Sequence, residues 1–178
     1  MAKSGRNKNK PKEVTLSWIG LIDDGKLNRI IQDIQKAIDK NKKTTFKLYL
    51  HSLGGNVDTS LAFYQWIKLN KVDLTVVGLS LIASAATIVF LAGSKRKCTS
   101  KTNFLFHRMR LPTEKGYMGP YEIEENMTLI SIGKERYMDI YKQLGFDPEE
   151  LLKIEREGFF LSPREAKEKG IVNEIIEI

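Results

Sequence analysis

The sequence has a single cysteine, Cys98, and only two histidines, His51 and His107. One cysteine excludes an internal disulfide, and the lack of a Cys/His cluster leaves no zinc site of the usual spacing. The first residues also lack the apolar run of a secretory signal peptide. We therefore expect a cytoplasmic protein that needs no metal and no cofactor.

Acidic residues are in the minority, with 22 Asp and Glu against 29 Lys and Arg, and the formal net charge is +7. Five of the basic residues lie in the first twelve positions: Lys3, Arg6, Lys8, Lys10 and Lys12. No aromatic residue is interleaved with them, so stacking on nucleic-acid bases is not indicated. We expect residues 1–12 to form a disordered basic tail, and residues 13–178 to form a single domain with no nucleic-acid partner.

A charge-free run extends over residues 74–94, followed by three basic residues, and it could be a membrane span. A buried strand, a turn and a buried helix fit it better, because Gly78 interrupts the valine-rich part and hydroxyl side chains are spread through the remainder. We therefore expect strand over 74–77, a helix opened by Ser84, and no contact with a membrane.

Strand and helix patterns alternate along the rest of the chain. This alternation favours an α/β fold of stacked βαβ units, with functional loops at the carboxyl ends of parallel strands. The predicted strands cover residues 13–20, 45–51 and 171–178, and the predicted helices begin near Asp23, Asp58 and Ser162.

One long helix is predicted over residues 122–144. Apolar residues recur on it at spacings of four, three and seven, namely Ile123, Met127, Ile130, Tyr137, Tyr141 and Leu144. This stripe is wide enough to meet another subunit, or else to pack on the chain's own sheet. Lys134 interrupts it, either with its ammonium group in water or as the base of a Ser/Lys dyad.

Three short motifs contain the parts of a serine hydrolase. Acyl transfer needs an oxygen nucleophile, a base, and N–H donors for the developing oxyanion. Gly54 and Gly55 follow a strand and can offer N–H groups at close range. Ser84 lies among small alanines that would let a substrate carbonyl approach, and His107 follows a short apolar strand.

The order and spacing of these motifs resemble ClpP, the proteolytic subunit of the Clp protease. The family pattern has Ser-Pro-Gly-Gly-Ser-Val, Ala-Ser-Met-Gly and His-Gln-Pro where this chain has residues 52–57, 83–86 and 107–109. Further similarity lies in residues 91–96 and 160–172, so the resemblance covers roughly 13–178. It implies a ClpP/crotonase-type fold with a long protruding handle helix. It also implies a serine endopeptidase that hydrolyses polypeptide substrates through an acyl-enzyme.

The resemblance also implies roles for individual residues and for partners. Ser84 would be the nucleophile, His107 the base, and the N–H groups of Gly55 and Ala85 the oxyanion hole. The active sites would be enclosed in a homo-oligomer of stacked rings, built through the long helix and served by an AAA+ unfoldase.

The chain departs from the family pattern in several places. Leu53 replaces a proline, Arg108-Met109 replaces Gln-Pro, and the first twelve residues do not match the family's axial loop, which puts docking of the unfoldase in doubt. The position of the catalytic aspartate is occupied by Gly158. The adjacent Glu157 is the provisional acid, with Glu155 as a second candidate, and slow peptidase activity is expected.

Three alternatives remain open at this stage. The chain could be a catalytically weak or inactive ClpP paralogue that serves as a structural subunit. It could be a Ser/Lys-dyad hydrolase of the signal-peptide-peptidase type. It could also be a crotonase-type acyl-CoA enzyme, since crotonases use similar glycine N–H groups as an oxyanion hole.

Overall fold

The computed structural model describes residues 12–110 and 117–178, which form one seven-stranded sheet and six helices. The strands are β1 (Lys12–Ile19), β2 (Thr44–Ser52), β3 (Leu74–Ala83), β4 (Lys95–Thr99), β5 (Asn103–Phe106), β6 (Phe159–Leu161) and β7 (Glu174–Ile176). The helices are α1 (Asp24–Lys40), α2 (Val57–Leu69), α3 (Ala85–Leu91), α4 (Pro120–Gln143), α5 (Pro148–Arg156) and α6 (Pro163–Glu168).

The sheet is parallel in the order β1-β2-β3-β4-β7. Strand β5 pairs in parallel with the last residues of β3 and antiparallel with β6. Parallel strands joined through helices confirm the predicted α/β class with its long helix. Strands β2 and β5 both pair in parallel with β3. The segments that follow these three strands therefore meet at one edge of the sheet.

Strand β1 begins at Lys12, one residue inside the segment predicted to be a tail, and Lys12 pairs with Thr44 of β2. The rest of that predicted tail, residues 1–11, lies outside the described residues. Helix α1 begins where predicted, because the Asp23 side chain caps it by accepting a hydrogen bond from the Lys26 N–H at 2.9 Å.

Strand β3 is longer than the sequence predicted, and the prediction that Gly78 ends it is wrong. The strand continues for five more residues to Ala83, with a shift in its register against β2 between Leu50 and Ser52. Gly78 lies inside the sheet, where an added Cβ would be 3.2 Å from the Phe90 ring. The glycine therefore provides room for a helix side chain, as glycines within strands often do.

The last predicted strand is also shorter than expected. Strand β7 has three residues, whereas Ile171 and Val172 are fully buried in the loop before it. Their apolar character reflects core packing and not strand pairing. The predicted capping box is present, with the Ser162 hydroxyl accepting from the Glu165 N–H and the Glu165 carboxylate from the Ser162 N–H.

Helix α4 divides into two halves. The second half contributes Tyr137, Met138, Ile140 and Tyr141 to the core, whereas the first half leaves its apolar side chains exposed, including Tyr121, Ile123, Met127, Leu129 and Ile132. In the described part of the chain, no helix combines the length and apolarity that crossing a membrane requires. The charge-free run of residues 74–94 instead forms β3, α3 and the turn after it.

Candidate active site

Ser84 occupies a sharp turn between β3 and α3. Its backbone angles, φ 57° and ψ −131°, lie in a region that costs a non-glycine residue about 1–3 kcal/mol. The turn is held by its N–H, which donates to the Leu105 carbonyl at 2.8 Å, and by its carbonyl, which accepts from the N–H and the Oγ1 of Thr87. Such a turn presents a serine side chain at the end of a sheet.

Helix α4 supports this turn from behind. The Thr87 hydroxyl donates to the Ser84 carbonyl at 2.7 Å, so it accepts from Tyr141 Oη, which also lies at 2.7 Å. Burial raises the pKa of Tyr141, which keeps its hydroxyl protonated as this bond requires. The sequence placed Tyr141 on the apolar stripe and gave no sign that its hydroxyl reaches the serine turn.

The glycine turn lies directly against Ser84. Gly54 and Gly55 have φ of +109° and +149°, and a Cβ added at Gly54 would be 2.6 Å from Ser84 Cβ and 3.1 Å from its Oγ. A Cβ at Gly55 would collide with the Ile22 backbone. Ser52, which is fully buried, fixes the turn by accepting from the Gly54 N–H at 3.0 Å. The sequence gave Ser52 no role.

At this edge of the sheet, the N–H groups of Gly55 and Ala85 have no acceptor among the residues that the structure describes. The Ile22 N–H donates to the Gly54 carbonyl, and the Ile22 carbonyl accepts from the Asn56 N–H. These two bonds bypass Gly55, whose N–H has no acceptor among the described residues. The Ala85 N–H belongs to the first turn of α3, where such groups have no partner within the helix. Both are therefore available to an oxyanion.

His107 follows β5 and lines the same small cleft as Ser84. The other side chains around that cleft are mostly apolar: Val57, Ala85, Ile88, Met109, Tyr137 and Tyr141. The Nδ1 atom of His107 is 2.7 Å from the Arg108 carbonyl oxygen, which can only accept, so Nδ1 carries the proton. Among the described residues, no hydrogen bond joins His107 to Ser84 Oγ. Such bonds are often long before substrate binds.

The structure does not bring Glu157 to His107. Glu157 caps the end of α5 with an exposed side chain that forms no hydrogen bond or ion pair with any described residue. Gly158 is the residue that lies close to His107, and a Cβ added there would be 3.7 Å from His107 Cβ. Within the described residues, no carboxylate is hydrogen-bonded to His107.

Lys134 and Glu155 form an ion pair with each other, at 2.6 Å between Nζ and Oε1. The hydrogen bond to Glu155 raises the pKa of Lys134, so the ammonium stays charged, and Lys134 does not line the cleft of Ser84. A base must be neutral to accept a proton, which argues against the Ser/Lys dyad. Glu155 is likewise engaged away from His107.

Cys98 and His51 lie outside this site. Cys98 is buried in β4, and burial raises the pKa of its thiol to about 11, so it is no thiolate nucleophile at neutral pH. The Nδ1 atom of His51, in β2, is 3.1 Å from the Leu81 carbonyl. Among the described residues, one serine and one histidine therefore line the cleft, and the glycine turn contacts that serine.

Comparisons with known proteins agree with this geometry. The family model described as Clp protease matches residues 10–178. The chain is 30% identical to the ATP-dependent Clp protease proteolytic subunit 1 of Thermobifida fusca, over 94% of this chain and 77% of that protein. It is 33% identical to the ATP-dependent Clp protease proteolytic subunit 2 of Borreliella burgdorferi, over 85% of this chain and 77% of that protein.

Among solved structures, a mutant of ClpP1 from Listeria monocytogenes superposes with a TM-score of 0.72 at 26% identity, covering 92% of this chain and 91% of that chain. Because the Clp protease model matches nearly the whole chain, the ClpP family describes the protein better than the crotonase-type alternative does. The chain belongs to the ClpP family of serine peptidases, the proteolytic subunits of the Clp protease.

Proposed function

We propose that this chain is an active ClpP-type endopeptidase in which Ser84 is the nucleophile and His107 the base. One observation carries the proposal: a serine in a strained turn and a histidine whose Nε2 has no partner among the described residues line one cleft, and a glycine turn contacts that serine. A structural subunit would not need to retain all three.

The reaction follows from the atoms that face the cleft. With its proton on Nδ1, His107 has a lone pair on Nε2 that can take the proton of Ser84 Oγ as it attacks the peptide carbonyl. The N–H groups of Gly55 and Ala85 would stabilise the oxyanion of the tetrahedral intermediate. His107 then returns the proton to the leaving amine, and water hydrolyses the acyl-enzyme by the same route.

A fluorophosphonate probe tests this proposal without any knowledge of the substrate. The purified wild-type protein should be labelled, and mass spectrometry should find the phosphonyl group on the peptide that contains Ser84. Heat-unfolded protein is the control, since the reaction requires the assembled site. Absence of labelling in folded protein would favour the structural-subunit alternative.

We also infer that the chain assembles into an oligomer through the first half of α4, where Ile123 and Met127, about one helical turn apart on the same face, are 51% and 64% exposed. Exposed apolar side chains that share one face of a helix are typical of a surface that another subunit covers. Stacked rings, as in the family, would enclose Ser84 and protect other proteins from cleavage. The curated relatives are called ATP-dependent, and an AAA+ unfoldase is the proposed partner.

Light scattering at micromolar concentration tests the oligomer. The mass should be several times the 20.3 kDa of one chain, and the double substitution Ile123→Glu and Met127→Glu should lower it by introducing charges into the apolar contact. Gln143→Glu is the control, because it adds a charge at an exposed polar position of the same helix. A wild-type mass near that of a single chain would contradict the inference.

A further inference from the structure

The peptide group between Arg108 and Met109 links His107 to α4. Its carbonyl oxygen accepts from His107 Nδ1 at 2.7 Å, and its N–H donates to the hydroxyl of Tyr137 at 3.3 Å. The two bonds lie at opposite ends of one planar unit, so holding the N–H also fixes the direction of the carbonyl. Tyr137 is therefore linked to the imidazole through this one peptide group.

Two further contacts make this attachment rigid. Tyr137 is only 4% exposed and its ring packs against Tyr141 at 5.5 Å between centroids. One helical turn earlier, a Cβ added at Gly133 would lie 2.6 Å from Met109 Sδ, so the Met109 side chain occupies the space that this glycine leaves. Helix α4 thus holds Met109 by both its side chain and its N–H.

This arrangement depends on the residue at position 109, because that residue must have a backbone N–H to donate to Tyr137. A proline in place of Met109 would have no N–H to donate to Tyr137. The same sequence places a glycine where a carboxylate would otherwise face His107. The backbone bond is present, and in the part of the chain that the structure describes no carboxylate is hydrogen-bonded to the same imidazole.

We propose that the Arg108 carbonyl, oriented by Tyr137, takes over from a carboxylate the task of selecting the His107 tautomer. This inference rests on the proposed function. In a serine hydrolase the triad acid keeps the proton on Nδ1 and leaves Nε2 free to act as the base. A carbonyl can do the same, but it carries no charge to stabilise the imidazolium. Tyr137 is accordingly a positioning residue.

The tautomer is directly measurable, because the chain has only two histidines. In the full chain labelled with ¹⁵N-histidine, at a pH where the imidazole is neutral, the His107 resonances should report a proton on Nδ1. Tyr137→Phe should move a measurable share of that proton to Nε2, whereas Tyr64→Phe, a control on α2, should not. A proton on Nε2 in the wild type, or no change in Tyr137→Phe, would overturn the inference.

Kinetics on a fluorogenic peptide adds a second readout. Tyr137→Phe should lower kcat about three- to tenfold with little change in KM, and the loss should fall below twofold in a Gly158→Asp background, where a carboxylate holds Nδ1. An equal loss in both backgrounds would make Tyr137 merely structural and would refute the proposal. The tautomer measurement needs no turnover, so an inactive protein would refute the proposed function while this inference could still be decided.

Discussion

Replacing Ser84 by alanine is expected to lower hydrolysis of short fluorogenic peptides by roughly 10³-fold or more. Removal of Oγ eliminates the atom that is proposed to form the acyl-enzyme. Among the described residues, no other serine, threonine or cysteine lines the cleft, and the thiol of Cys98 is buried in β4. His107→Ala should also lower the rate by orders of magnitude, because Ser84 would have no base.

Ser80→Ala is the matched control for this experiment. Ser80 lies in β3, the strand that leads into the Ser84 turn. Its φ of +54° is close to the 57° of Ser84, but it is not among the residues that line the cleft. Its replacement should leave turnover nearly unchanged. Wild-type turnover in Ser84→Ala, measured on protein free of host peptidases, would show that the nucleophile has been assigned incorrectly.

Gly158→Asp is expected to raise kcat by about ten- to a hundredfold. The new carboxylate would start from a Cβ position 3.7 Å from His107 Cβ, and it would stabilise the imidazolium that forms during attack. The gain is limited by backbone strain, because φ at this residue is +90°. Aspartate tolerates positive φ better than most residues.

Three variants distinguish the charge from the strain. Gly158→Ala and Gly158→Asn introduce a side chain at the same backbone angles without a negative charge, so neither should raise the rate. Glu157→Gln should leave it unchanged, since the Glu157 side chain is exposed and contacts no described hydrogen-bond donor. A large loss in Glu157→Gln would instead identify Glu157 as the acid that the sequence predicted.

Much of the site could be predicted from sequence because its chemistry depends on residue types at fixed places along the chain. A serine after a buried strand and two glycines after another must meet if those strands are parallel neighbours. Gly78 was misinterpreted because a glycine that ends a strand and one that makes room for Phe90 look alike in sequence. The two kinds of glycine can be distinguished only from the side chains that pack against them in the folded protein.

The sequence predicted α4 as one long helix with an apolar stripe, but not that half of the stripe would be buried and half exposed. Ile123 and Tyr137 belong to the same apolar stripe, yet one is 51% exposed and the other 4%. Sequence periodicity defines a face but not what covers it. The bond from Met109 to Tyr137 was beyond prediction, since its donor is a backbone N–H that nearly every residue possesses.

The contact between Gly54 and Ser84 has a consequence for how the site comes into being during folding. The glycine turn is held by Ile22, and the serine turn by Leu105, so the contact depends on segments more than 80 residues apart in the chain. Such long-range pairing forms late, after the loops between the segments have closed. We therefore expect Ser84, the proposed nucleophile, to be presented correctly only after β5 has joined the sheet.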